Sequence, residues 1–189
     1  MLFLFLSCVP FGGYQPSQTK QDYIAVKNTR YVFISKEFSY QDRIAIDKAI
    51  NKWNFALNDQ ISFMPIDIAY TMSSDEIQNI TNTRNIIVFK IDGKSNLLRK
   101  GDIKTIAFSN KIGGNGIFLV RSRIKDNDLT DVVVHEISHC LGSQHLAGSL
   151  MNEDFDSKLY RCIDFKTIEQ VSKFEHLELS NMNYCILSK

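Results

Sequence analysis

The chain has 189 residues, of which 44% are hydrophobic and 11% aromatic, a composition that belongs to a folded globular protein and excludes a disordered one. Its 22 Lys and Arg stand against 21 Asp and Glu, a net charge of +1, so neither a nucleic-acid-binding face nor an acidic tail is indicated. No apolar run is long enough for a transmembrane helix, and the length suits one domain with a substantial core.

The chain opens on the apolar run Met1-Leu2-Phe3-Leu4-Phe5-Leu6, closed by Ser7 and Cys8. This resembles the end of a bacterial lipoprotein signal, although it lacks a basic n-region and is shorter than the usual apolar segment. The expectation is a truncated signal, with a secreted or cell-surface location and Cys8 as a candidate lipid anchor; a merely greasy terminus is the alternative. Gly12, Gly13 and Pro16 among polar residues mark a tether, so residues 1–22 read as leader and tether and residues 23–189 as the folded domain.

Tyr31 to Ile34 reads as the first strand, rich in β-branched and aromatic side chains. Ser39 with Asp42 three residues on has the form of a capping box, and Ile46, Ala49, Ile50, Trp53 and Leu57 then recur at helical spacing on one face. Ile61 to Ile68 and Asn85 to Asp92 read as further strands, separated by a polar stretch from Ser73 to Thr83, and Thr105 to Ser109 as a short fourth. A glycine-rich turn at Gly113 and Gly114 then runs into Gly116-Ile117-Phe118-Leu119-Val120, which reads as a strand of an ordinary hairpin. It is not a phosphate-binding loop, because it lacks the Lys-Ser/Thr ending and precedes a strand. Lys125 to Asp128 reads as a solvated turn in preference to a calcium loop, and Asp128 or Thr130 is a candidate cap for the helix that follows. In that helix Val133, Val134, Ile137 and Leu141 are expected to face the core. Phe165, Ile168, Val171, Phe174 and Leu177 predict a terminal amphipathic helix beginning near Asp164.

The run HEISHCLGSQH, residues 135 to 145, uses three of the four histidines of the chain. Residues four apart on an α-helix lie about 40° apart around the axis, so His135 and His139 share a face. Glu136 sits beside that face with the position of a general base. A catalytic zinc needs a third protein ligand and an open fourth position, yet a helix carried straight on would take residue 145 away. Gly142 offers the break, since without a Cβ it enters the left-handed region that ends helices, and His145 can then reach the metal from below. Three neutral imidazoles suit zinc better than calcium or magnesium.

With Met151 downstream, HExxHxxGxxH resembles the signature of the metzincin zinc endopeptidases, and the short gap to the methionine is matrixin-like. The resemblance covers residues 30 to 178 in the order of elements, and its motif lies in residues 135 to 151. It implies an α+β fold of zincin type. The implied parts are a twisted mixed sheet with an antiparallel edge strand bordering the cleft, an N-terminal helix, an active-site helix binding zinc, and a small C-terminal helical lobe. It implies one catalytic Zn2+ on His135, His139 and His145, Glu136 as general base, Gly142 at the helix-ending turn, and Met151 as the Met-turn residue forming an apolar floor. It also places Gly116, Ile117, Phe118 and Leu119 at the edge of the substrate cleft, where an extended polypeptide pairs with exposed backbone.

The implied activity is hydrolysis of peptide bonds in extended polypeptides by a monomer that takes no nucleic acid partner. Two other readings use the same residues: a zinc-binding or adhesion module that cuts nothing, and a hydrolase of peptidoglycan cross-links. The chain departs from parts of the pattern. Glu153 stands where many relatives of this class carry a tyrosine, Ser138 replaces the usual glycine, and only His176 remains for a second zinc, so one ion is expected. Cys140, Cys162 and Cys185 allow one disulfide and one free thiol with unreadable connectivity, and Cys140 is expected to be buried and structural. The wall that sets cleavage preference is expected between Asn152 and Arg161.

Overall fold

A computed structural model describes residues 28–68, 72–154 and 162–185. The proposed leader, tether and Cys8, and most of the expected specificity wall, lie outside the described residues. The described residues form a mixed α/β structure in the order β1 (Thr29–Ile34), α1 (Tyr40–Leu57), β2 (Ser62–Asp67), α2 (Ser74–Thr81), β3 (Ile86–Ile91), β4 (Ala107–Ser109), β5 (Gly116–Val120), α3 (Leu129–Cys140) and α4 (Phe165–Glu175).

The strands make one sheet in the order β2-β1-β3-β5-β4. Parallel neighbours need long crossovers, and α1 and α2 provide two of them. β3 and β5 are also parallel, whereas β4 returns antiparallel to β5 through the glycine-rich turn. This arrangement agrees with the α+β expectation of a mixed sheet with an antiparallel edge strand, and most of its pairings are parallel.

One assignment is corrected. Gly116, Ile117, Phe118 and Leu119 are not at the edge, because β5 is paired on both sides, with β3 and with β4. The free edge belongs to Ala107–Ser109. The hairpin reading of the glycine-rich turn is the one realised, and closing a hairpin makes the earlier strand the outer one here.

Helix α1 starts at the Ser39–Asp42 capping box and buries Ile46, Ala49, Ile50, Trp53 and Leu57 as the spacing predicts. Trp53 donates its indole N–H to the Val134 carbonyl at 3.0 Å, which docks α1 on α3 through the interior. At the other sheet edge, the Asn54 amide donates to the Phe63 carbonyl at 2.9 Å and accepts from the Phe63 N–H at 2.7 Å. With Pro65 on the same strand, those groups are withdrawn from edge pairing.

The polar stretch from Ser73 to Thr83 contains helix α2, which the sequence reading left as a separator. Its start carries a second capping box, Ser73 with Glu76, of the same form as the one recognised at α1. With eight residues it offers too few turns for an apolar stripe to stand out.

The entry to α3 also differs from expectation. Asp128 occupies the N-cap position in helical conformation and makes no capping bond. Thr130 donates instead to the Ala45 carbonyl at 3.1 Å, and Asp126 is ion-paired with Arg121. Helix α4 begins as expected at Asp164, whose carboxylate accepts from the N–H groups of Lys166 and Thr167. Cys162 and Cys185 are disulfide-bonded, and among the described cysteines Cys140 is the free one, buried as expected.

Candidate metal centre

Helix α3 is buried along almost its whole length, with Val133, Val134 and Ile137 in the core. Ser138 is fully buried and ties its hydroxyl to the Val134 carbonyl at 2.9 Å, so the departure from glycine is accommodated by packing and one hydrogen bond. The helix stops in two steps. The Ser143 N–H donates to the Ser138 carbonyl at 2.9 Å and the Gly142 N–H to the His139 carbonyl at 3.0 Å, the paired bonds of a Schellman motif. Gly142 has φ +88°, so glycine is required by conformation. It is also required by space, because a Cβ there would lie 2.0 Å from Cγ of Phe174 on α4.

That turn does more than end the helix. The carbonyl of Ser143 accepts from Nδ1 of His139 at 2.8 Å, and the carbonyl of Leu150 accepts from Nδ1 of His135 at 2.9 Å. Each bond places the ring proton on Nδ1 and the lone pair on Nε2, the state a metal ligand needs. His145 follows the turn back, bringing its Nε2 to 3.1 Å from that of His139. Ligand nitrogens of all three histidines lie within 4.8 Å of one another. Two nitrogens each about 2.1 Å from one tetrahedral ion stand about 3.4 Å apart, close to the 3.1 Å between His139 and His145, and the three together could hold one metal ion.

Burial and mutual repulsion prepare the same state. Desolvation, followed by the neighbouring imidazoles, lowers the His135 pKa to about 4, and desolvation lowers that of His139 as well. Both rings are therefore neutral at pH 7. Glu136 is buried beside them, and desolvation raises its carboxyl to about 7, partly opposed by a 2.8 Å hydrogen bond from the Ser109 hydroxyl to Oε2. A carboxyl held near neutrality can take up and return a proton at physiological pH.

These groups open into a cleft of about 620 Å³. One side is the stretch from Lys104 through the edge strand β4 to Ser109, the base is Val132 with the histidines and Glu136, and the far rim carries Glu153 and Asp154. Gly116, Ile117, Phe118 and Leu119 do not line it.

Met151 is fully buried in the loop that follows the third histidine. Leu146 N–H donates to the Met151 carbonyl at 2.7 Å, and Met151 N–H donates to Ser149 Oγ at 3.0 Å, which closes residues 146–151 into a compact turn. The turn is held from below by Asp164, whose Oδ2 accepts from the Leu150 N–H at 2.7 Å. Asp164 therefore starts α4 and, through Leu150, steadies the carbonyl that orients His135. The sequence reading assigned it only the first task, because no local pattern reports a contact made to a segment earlier in the chain. Ser109 has no local signal either, because its partner Glu136 lies 27 residues later on another element.

The site is thus a cluster of three histidines able to hold a metal ion on a mixed α/β frame. The chain matches no model of a known protein family, and a search of curated proteins finds no match.

Proposed function

We propose that the protein is a zinc-dependent endopeptidase of the metzincin type, acting on extended polypeptides. The observation that carries this reading is the convergence of His135, His139 and His145 beside a buried carboxylate at the base of an open cleft with an antiparallel edge strand on its wall. A bound zinc ion would supply Lewis acidity toward a carbonyl oxygen and acidify a water at the vacant position.

The chain's own residues do the rest. The backbone carbonyls of Ser143 and Leu150 hold two imidazoles in the ligating tautomer. Glu136 receives a proton from water and delivers it to the leaving amine, so no covalent intermediate is required. Ala107 to Ser109, as the outer strand, offers backbone groups that an extended substrate can pair with. The Cys162–Cys185 disulfide suits an exported protein, in line with the expectation from residues 1–8.

Metal analysis of the purified protein, with a peptide-library digest of the parent and Glu136→Gln, tests the reading. One zinc per chain and cleavage reduced at least about a hundredfold in the variant are expected. Equal cleavage by the two proteins removes Glu136 from the mechanism. Zinc binding without cleavage of any peptide or cell-wall substrate points to a binding module.

A further inference from the structure

Ser109 lies on the edge strand, 27 residues before Glu136, and belongs to no motif. Its orientation follows from the pleat. Side chains alternate across a strand, and Phe108 stacks on Phe118 with ring centroids 5.0 Å apart on one face of the sheet. Phe118 stacks in turn on Phe89 at 5.2 Å, so the outer strand is anchored across three strands. Ser109 is thereby turned to the opposite face, toward α3, where its hydroxyl meets Oε2 of Glu136 at 2.8 Å and the Glu136 carbonyl at 3.2 Å. The carboxylate is the nearer acceptor.

The other carboxylate oxygen completes the picture. Among the described residues, Oε1 of Glu136 has no protein partner. No buried side-chain polar atom there lacks a hydrogen bond, so Oε1 must reach the cleft. One oxygen is thus pinned by the strand, and Glu136 lines the same cleft as the three imidazoles.

We infer that Ser109 is a positioning residue that locks the Glu136 carboxylate in one orientation, with Oε1 aimed at the three-histidine site; the inference rests on the endopeptidase reading only for its kinetic consequence. A carboxylate held by one hydrogen bond to a rigid strand loses a rotational freedom that would otherwise spread its open oxygen over several positions, and misplacement of a general base is costly. Ser109 itself touches no reacting atom.

The test compares the full chain with Ser109→Ala and Ser109→Thr. Crystal structures of the metal-free parent and the Ala variant should show Oε2 at hydrogen-bonding distance from Ser109 in the first and a rotated or multiply placed carboxylate in the second. With the zinc-loaded proteins, Ser109→Ala should lower kcat about tenfold with KM and zinc content unchanged, and Ser109→Thr should retain most of the parent's kcat. An unmoved carboxylate in the Ala variant overturns the inference, as does an unchanged kcat. A parent protein that cleaves nothing overturns the endopeptidase reading instead, and the two crystal structures still decide the role of Ser109.

Discussion

The metal side of the cleft and the strand side are built over different distances. His139 is oriented by a carbonyl four residues away and His135 by one fifteen residues away, and the turn that brings His145 back is made within the same segment. Glu136, by contrast, is held by a serine 27 residues earlier, and the loop that orients His135 is steadied by Asp164, fourteen residues after Leu150 and on a separate element. The ligand geometry is therefore a property of one contiguous stretch. The surroundings of the general base and the rigidity of the loop exist only once sheet and terminal helix have packed against that stretch.

The largest expected effect comes from breaking the point where both kinds of contact meet. Gly142→Ala meets the left-handed φ and the Phe174 ring together, and it should cost about 3 kcal/mol or more in urea unfolding. Pairing it with Phe174→Ala should remove the steric part and leave roughly 1 kcal/mol from the conformation alone. A double variant no better than the single one would mean that the close approach to α4 is unimportant.

Asp164→Ala attacks the long-range support alone. It deletes the cap of α4, the bond to Leu150 and a 2.9 Å bond from the Thr167 hydroxyl, so a loss of about 2–3 kcal/mol is expected. Zinc affinity should fall about tenfold or more, because the carbonyl that orients His135 loses its anchor. Competition with a chromophoric chelator measures this, and unaltered affinity would separate Asp164 from the site.

A smaller effect sharpens the electrostatic difference between Glu136 and His135 in the metal-free protein. The Glu136 pKa is raised from 4.5 to about 7, so its contribution to stability is fully present below 4.5 and is lost as pH rises through about 7. The His135 pKa is lowered from 6.5 to about 4, so its contribution is present above 6.5 and is lost as pH falls toward 4. Glu136→Gln should therefore gain on the parent by about 2–3 kcal/mol between pH 5 and pH 8 in denaturant unfolding. A gain of the same size at both pH values would show that burial does not set the Glu136 pKa.

Much of the frame was readable in the sequence. The capping box at Ser39, the apolar stripe through Trp53 and the β-branched runs located α1 and the first strands to within a residue or two. Helix α2 was overlooked because its signal is a cap with little periodicity behind it, and the missing capping bond at Asp128 shows that composition at a helix start does not reveal which side chain is turned toward it. Local periodicity likewise cannot say which strand of a hairpin lies outermost; the family resemblance alone implies Gly116–Leu119 as the edge, and Ala107–Ser109 holds that position.

What the sequence determined unaided is the triad of histidines, since helical spacing and a glycine-ended turn bring His135, His139 and His145 together through short-range geometry. The Cys162–Cys185 pairing, the edge position of β4, the hold of Ser109 on Glu136 and the second task of Asp164 were decided by tertiary structure. The physical reason is that these depend on which segments become neighbours after burial of the apolar faces. No spacing within one segment carries that information.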